Sequence, residues 1–351
     1  SLGDLPLDAL GRIEIYRGYV PIQFGGGAIG GAINLVSDRA DHAQASTRLG
    51  LGSFGSREIG SRVEVALGEN DSLAFRLGHA GSVGNFGFYD IASTPQVLSY
   101  DRWSQRSNND YQRWLGHARW DRTLQNGKAS VQEWLFLKHQ GVPGPAGAQS
   151  TVADLTTKVS RTIAALEHRI GSSRWSLAAA TTIERRRFRD ELGEVGLGSD
   201  DETTDALDLF LGPRLQVALA TGLSATLAGD GRFERVWIFE QIPQPLASGD
   251  ATRKRLRYGG GIEIDAKLLD RIRVVPALRI DAIDNRFAVR SGDGEVDDQG
   301  RDAQTIAFSP RLGAVATVLH GLELRTTVGR YSRTPTLTEL FESPVEGLHT
   351  L

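Results

Sequence analysis

The chain has 351 residues, with 43 acidic against 40 basic side chains and a formal net charge of −3, which excludes the strongly basic footprint of a nucleic-acid binder. Hydrophobic residues make up 40%, with 41 glycines and 12 prolines, so neither a collagen-like nor a highly charged disordered chain fits, and one large domain or two can form. The absence of cysteine removes disulfides, thiolate zinc sites and cysteine nucleophiles, and suits a chain that crosses an oxidising compartment without bridges. No run of 18 apolar residues and no charged-then-apolar leader occurs, so a membrane role would have to use strands. The chain contains no Met, even at position 1, and reads as a segment of a longer reading frame.

Residues 1–38 differ in kind from the rest: a strand-like stretch from Arg12 to Arg17 leads into a compact, turn-rich unit from Phe24 to Val36, FGGGAIGGAINLV. Gly25, Gly27 and Gly30 spell a literal G-x-G-x-x-G. A dinucleotide site would need a helix after it and βαβ units downstream, whereas AINLVS has strand composition, so a close-packed turn is expected instead. From about Ala43 the signal has period two, the mark of strands with two differently solvated faces. Leu256, Tyr258, Ile262, Ile264 and Ala266 share one face while Arg257, Glu263, Asp265 and Lys267 share the other. The same division separates Val63, Val65 and Leu67 from Arg62 and Glu64, and Leu73, Phe75 and Leu77 from Ser72 and Arg76. It also separates Trp175, Leu177 and Ile183 from Arg174, Ser176 and Glu184. Pro276 interrupts one such stretch and predicts a bulge or a missing ladder bond.

Roughly thirteen strand-like segments of about 10 to 16 residues are predicted, and their connectors alternate between short and long. Short ones fall at 68–72, 124–128, 171–174, 220–222, 268–271 and 320–321; long ones at 83–111, 139–157, 189–205, 238–252 and 290–304. Only the first loop, Ser53 to Ser56, is short on the long side. Long loops at one end, tight turns at the other and one apolar face are the pattern of a transmembrane antiparallel β-barrel, because a bilayer cannot satisfy open backbone groups and a spanning sheet must close with its apolar side toward lipid. The six tryptophans suit interface anchors, and Trp114 and Trp120 share a face. A soluble sandwich also has period two, but its strands are shorter and need no loop asymmetry.

The string RIEIYRGYVPIQFGGGAIGGAINLVS, Arg12 to Ser37, resembles the closing segment of the plug domain of TonB-dependent outer-membrane receptors. The loop from Asn85 to Asp110 resembles the first long extracellular loop of several such receptors, and RTPTLTELFE, Arg333 to Glu342, resembles a segment of their barrels. Tyr19 departs from the family, where Pro often follows the Arg-Gly pair. The resemblance implies that residues 1–38 are the C-terminal part of a plug domain and residues 39–351 the N-terminal part of a barrel of 22 strands, with about 200 further residues of barrel expected. It implies a Gram-negative outer-membrane location and TonB-coupled uptake of a scarce, bulky nutrient such as a siderophore-iron complex or cobalamin. The implied partners are the TonB complex, whose contact segment lies outside this sequence, outer-membrane lipid and a small ligand such as a metal chelate.

Arg17 matches the family position whose guanidinium helps lock the plug to barrel glutamates, and Gly18, Gly25, Gly27, Gly30 and Gly31 shape the plug turn. Ligand contacts are expected from Phe86, Phe88, Tyr89, Tyr100, Asp101, Trp103 and Arg106, since aromatics and charges on a long loop can grip a large solute. Arg62, Glu64, Arg76, Glu184, Arg257, Glu263, Asp265, Arg279 and Asp281 are expected to line a hydrated lumen. The histidines, at 42, 79, 117, 139, 168, 320 and 349, lack metal-ligand spacing, so no metal or other cofactor is expected. Neither a G-x-S-x-G elbow nor an HExxH helix is present, and no catalysis is expected. The alternatives are a passive porin or adhesin-type barrel without a plug, and a soluble β-rich binding protein.

Overall fold

A computed structural model describes residues 11–25, 27, 30–36, 42–90, 102–196, 198–241, 251–269, 271–290, 296–297, 303–319, 322–333 and 335–337. At the N-terminus, β1 (Arg12–Arg17) and β2 (Gly31–Val36) form a separate antiparallel pair, with a 3-10 turn at Ile22–Phe24 between them. The main sheet begins with β3 (Gln44–Leu51), β4 (Arg57–Leu67) and β5 (Asp71–Ser82). A two-stranded hairpin, β6 (Gly87–Asp90) with β7 (Arg102–Gln105), stands on the long connection that follows. The sheet resumes with β8 (Tyr111–Leu124), β9 (Gly127–Gly141), β10 (Asp154–Ile170), β11 (Ser173–Asp190), β12 (Asp200–Ala220), β13 (Leu223–Glu240), β14 (Ala251–Leu268) and β15 (Ile272–Arg290). After the short β16 (Val296–Asp297), which pairs with β15, it ends with β17 (Ala303–Leu319) and β18 (Leu322–Gly329).

The main path holds thirteen strands in the order β18-β17-β15-β14-β13-β12-β11-β10-β9-β8-β5-β4-β3, every pair antiparallel and next to its chain neighbour along the path. Turns close where expected between β4 and β5, β8 and β9, β10 and β11, and β12 and β13, and β14 pairs with β15; residues 270 and 320–321 lie outside the described residues. The strands run longer than the predicted 10 to 16 residues, up to 21 in β12, and shorten the long loops accordingly. In β12 the added residues, 200–205, are polar on both faces, which hides them from a period-two search. There the ladder carries cross-strand ion pairs: Arg187 with Asp201 at 2.6 Å, Arg185 with Asp205 at 2.6 Å and Arg189 with Asp154 at 2.8 Å.

Pro276 leaves a gap rather than a bulge. On β14 the pairs Glu263↔Ala277 and Ala266↔Val274 keep one register with the two intervening pairs absent, as the missing proline donor requires. Pro213 does the same between Leu211↔Gly231 and Arg214↔Ala228. Register shifts occur instead beside tight turns, between Ala218 and Ala220 and between Thr317 and Leu319.

The polarity of the sheet is inverted relative to a water-soluble domain. Large apolar side chains lie open on one face, among them Leu211 and Ile280 at 50% and Ile262 at 40% exposure. Charged side chains fill the other: Arg279 is 1% exposed, and Arg255 and Glu64 are 2% exposed. A continuous exposed apolar face of this extent demands a nonaqueous neighbour. The polar face is internally paired, through Arg76 to Glu64 at 2.9 Å, Arg76 to His117 at 2.9 Å and Arg119 to Asp121 at 2.6 Å. Glu133 is a carboxylate on the apolar face, and the hydroxyls of Ser160, at 2.7 Å, and Thr162 donate to its oxygens.

Candidate functional site

The polar face seats residues 18–25 of the N-terminal unit. Gly18 leaves β1 at φ 77°, a left-handed turn that side-chain-bearing residues resist, and aims Tyr19 at the sheet. The Tyr19 hydroxyl donates to Glu263 Oε2 at 2.6 Å, and the Ile22 backbone N–H donates to the same oxygen at 3.2 Å. Burial, and next the bond to Glu263, push the Tyr19 hydroxyl up from its ordinary value, so it keeps the proton it donates. Ile22, 1% exposed, packs with Ala228 of β13 and Ala277 of β15, and Gly313 of β17 leaves room for the Tyr19 ring, which an added Cβ would meet at 2.7 Å. Small residues on an otherwise charged face thus make the seat.

Two arginines hold the guest by its backbone. Arg311 donates to the Val20 carbonyl at 3.0 Å and the Gly25 carbonyl at 3.2 Å, while Arg279 reaches the Ile22 carbonyl at 3.4 Å. Arg279 is fixed by Asp281 at 2.6 Å and by Asp230, and Arg311 lies 4.7 Å from the centre of the Tyr331 ring. Arg214 donates to the Gln23 side chain. Within the guest, Pro21 opens the 3-10 turn, and the N–H groups of Phe24 and Gly25 return to the Pro21 and Ile22 carbonyls at 3.1 Å. Every polar contact is a reversible hydrogen bond, so the segment is seated firmly yet can be withdrawn without breaking a covalent bond.

The second cluster is on the long connections. Phe86 and Phe88 meet edge to face at 6.3 Å, Tyr89 and Trp103 at 5.8 Å, and the Arg106 guanidinium stands 5.9 Å from the Phe88 ring. Trp103 is 77% exposed, so this aromatic surface faces outward. Arg106 also donates to the Gly144 carbonyl, and the Ser107 N–H donates to Gln149 at 2.8 Å, tying the connection after β5 to that after β9. The next connection joins through Glu194, which accepts from the Thr151 hydroxyl and N–H at 2.7 Å and from the Val152 N–H at 3.0 Å. Those bonds, the Thr151 hydroxyl first, lower the Glu194 carboxyl to about 2. A carboxyl depressed by folding stabilises above its unfolded value of 4.5 and loses that effect as pH falls through about 2. Hydrogen exchange at the Thr151 and Val152 amides is therefore expected to stay slow, after correction for intrinsic rates, until pH approaches 2, and to quicken at neutral pH in Glu194→Ala. Equal exchange in variant and parent would contradict the clamp.

The residues expected from sequence fall as follows. Arg17 ends β1 with an exposed side chain, and among the described residues its guanidinium has no carboxylate partner. Gly18, Gly25 and Gly30 take positive φ, Gly31 approaches the Tyr16 carbonyl so closely that a Cβ would sit 2.6 Å from it, and Gly27 borders open space. Phe86, Phe88, Tyr89, Trp103 and Arg106 cluster as described, whereas Tyr100 and Asp101 lie outside the described residues. Of the charged residues expected to share the polar face, Glu263, Arg279 and Asp281 meet at the seat, while Arg62, Glu64 and Arg76 form a separate group near β4 and β5. Sequence reasoning does not pick out Tyr19, Ile22 and Arg311 as site residues; the available signal is Tyr19 itself, which departs from the Pro that often follows the Arg-Gly pair in the family it resembles, and the Ala and Gly positions opposite it.

The family profile described as "TonB dependent receptor-like, beta-barrel" matches residues 38–349. The chain belongs to the TonB-dependent receptor family. Within the family it is similar to the vitamin B12 transporter BtuB of Vibrio cholerae, 34% identical over 110 residues that cover 31% of this chain and 17% of that relative. Among solved TonB-dependent receptor folds, the copper transporter OprC superposes with a TM-score of 0.74 at 12% identity, over 95% of this chain and 52% of its own. The FrpB iron transporter from Neisseria meningitidis gives 0.72 at 14% identity, over 97% and 54%. The alcaligin outer-membrane receptor FauA from Bordetella pertussis gives 0.68 at 14% identity, over 89% and 48%. The chain thus spans about half the length of these solved receptors, and at such identities the likeness is one of fold.

Proposed function

We propose that this chain forms part of an outer-membrane importer of a scarce, bulky nutrient, with residues 1–38 the closing piece of a plug and the remainder barrel. The observation that carries the reading is the seat for residues 18–25 on the polar face, where Glu263, Arg279 and Arg311 hold the segment by hydrogen bonds and Ile22 packs with Ala228 and Ala277, with no covalent link. A passive porin has no use for such a guest. An importer driven from the inner side needs one that stays shut at rest and yields to a pull, since the outer membrane has no energy source of its own. TonB supplies that pull in this reading, and the exposed aromatics Phe86, Phe88, Tyr89 and Trp103 with Arg106 make first contact with the ligand. The ligand class is a metal chelate or cobalamin, in line with the named substrates of the similar transporters. Arg17 is assigned a locking role through a barrel carboxylate.

The test is uptake of radiolabelled ferric chelates and cobalamin by cells expressing the full-length protein, with and without TonB. Accumulation of one ligand that stops when TonB is removed is the expected result. Uptake that continues without TonB, at a rate proportional to concentration, would identify a passive pore.

A further inference from the structure

Residues 330–333 and 335–337 leave the wall and cross the polar face, the side opposite the apolar belt of the sheet. β18 pairs with β17 only as far as Arg311↔Gly329. The next N–H, that of Arg330, still reaches the Pro310 carbonyl at 2.9 Å, but Pro310 has no N–H to return and the ladder ends there. From Ser309 to Ala303, β17 extends toward the long connections without β18 beside it, while the chain turns inward as a strap. The Tyr331 ring stands 4.7 Å from the Arg311 guanidinium, and the Tyr331 hydroxyl reaches the Gly18 carbonyl at 3.5 Å. Farther along, the Pro335 carbonyl accepts from Arg255 Nη1 at 2.8 Å. Arg255 belongs to β14, beyond β15, and lies nearer the long connections than Glu263 of the same strand, so the strap climbs away from the seat as it crosses. Along its course Ile283 and Asn285 of β15, and Leu337 of the strap itself, are each 7% exposed.

Arg255 has the geometry of an anchor. Its side chain is buried, and its Nε donates to Asn285 Oδ1 at 2.6 Å, which fixes the plane of the guanidinium and aims Nη1 at the strap. Glu234, 4.0 Å from Nη1, supplies the countercharge. A bond from a buried guanidinium is among the stronger hydrogen bonds, and Pro335 offers its carbonyl as its only backbone hydrogen-bonding group. Tyr331 stands between this anchor and the seat. It touches the seated segment at Gly18 and also the arginine that holds that segment, since Arg311 donates to the Val20 and Gly25 carbonyls. A ring against the guanidinium restricts Arg311 to the orientation those two bonds require.

We propose that the strap is an internal latch: Arg255 anchors Pro335, the anchored strap keeps Tyr331 in place, and Tyr331 keeps Arg311 on residues 18–25. The latch rests on the reading of residues 18–25 as a segment that is seated at rest and withdrawn during import. It adds to the seat a support controlled from a distance, because Arg255 makes no hydrogen bond to residues 18–25 among the described residues. The anchor also stands on the side of the long connections, where a ligand arrives in that reading, so loosening Pro335 there loosens the segment below.

The test uses the full-length protein in lipid bilayers with a nitroxide on a single cysteine at position 27 or 336; a Cβ at Gly27 meets open space, and Thr336 is exposed. Arg255→Gln is expected to mobilise the label at 336 and to raise the mobile fraction at 27 about fivefold, the weight of one hydrogen bond, and Tyr331→Ala to raise the fraction at 27 by a similar factor. A label at 27 as still as in the parent while the label at 336 loosens would overturn the latch, and so would a strap that stays in place without Arg255. If Arg255→Gln fails to insert, Tyr331→Ala, at a half-buried position, decides by the label at 27, and no change there overturns the latch. Glu263→Ala separates this result from the seat. If it frees the label at 27 and the latch variants do not, only the latch falls; if it also leaves that label still, the seat falls with it.

Discussion

Arg279→Ala is expected to destabilise the protein by about 3 kcal/mol, the largest effect of any single substitution on the polar face. The side chain is 1% exposed and bonds Asp230, Asp281 and the Ile22 carbonyl at once. Its removal leaves two carboxylates without a cation and a carbonyl without a donor. Asp230 and Asp281 are 24% and 18% exposed, so water can relieve part of the cost, which sets the effect at the lower end of the range for broken buried pairs. Arg279→Lys recovers little, because an ammonium cannot reach three acceptors with the geometry of a fork. Urea unfolding of the full-length protein in micelles measures the difference, with Arg325→Ala as reference: Arg325 is 75% exposed beside Glu323 and should cost under about 0.5 kcal/mol. Equal costs for the two variants would contradict the buried role of Arg279.

Glu263→Ala should open the seat without unfolding the sheet. The carboxylate accepts both the Tyr19 hydroxyl and the Ile22 N–H, so its loss orphans two donors and weakens docking by about 2 kcal/mol, roughly 30-fold in the undocked population. The expected readout is a higher conductance of the full-length protein in planar bilayers and greater leakage of bulky antibiotics into cells, with Glu263→Gln, which keeps an acceptor oxygen, in between. Arg17→Ala, placed by resemblance rather than by a contact, is expected to raise leakage too, and unchanged leakage would count against its locking role. If Glu263→Ala conducts no more than the parent, the seat is not what keeps the segment in place.

Much of this architecture was legible because the solvent on each face imposes its own alphabet. Leu256, Tyr258 and Ile262 against Arg257 and Glu263 define the two faces of β14 in the sequence itself, and polar or glycine-bearing turns such as Gln125-Asn126, between β8 and β9, mark hairpins. Strand ends were not legible, since beyond the belt Arg185, Arg187 and Arg189 meet water on one face and polar neighbours on the other, and alternation disappears. The seat was only partly legible. Period two puts Glu263 and Arg279 on one face, but the union of Tyr19 with Glu263 spans 244 positions and depends on how the sheet curves around the segment. Pro276 was read correctly as a defect, yet whether it became a gap or a bulge depended on whether the neighbouring strand kept step.

Since the chain has no cysteine, single cysteines can be introduced and spin-labelled one at a time along 254–264 of the full-length protein in lipid bilayers. Labels at even positions are expected to be accessible to dissolved oxygen and shielded from a water-soluble nickel chelate. Those at odd positions should show the reverse or be shielded from both. Oxygen accessibility without a two-residue period, or nickel accessibility at 256, 258 and 262, would contradict an apolar face in contact with hydrocarbon.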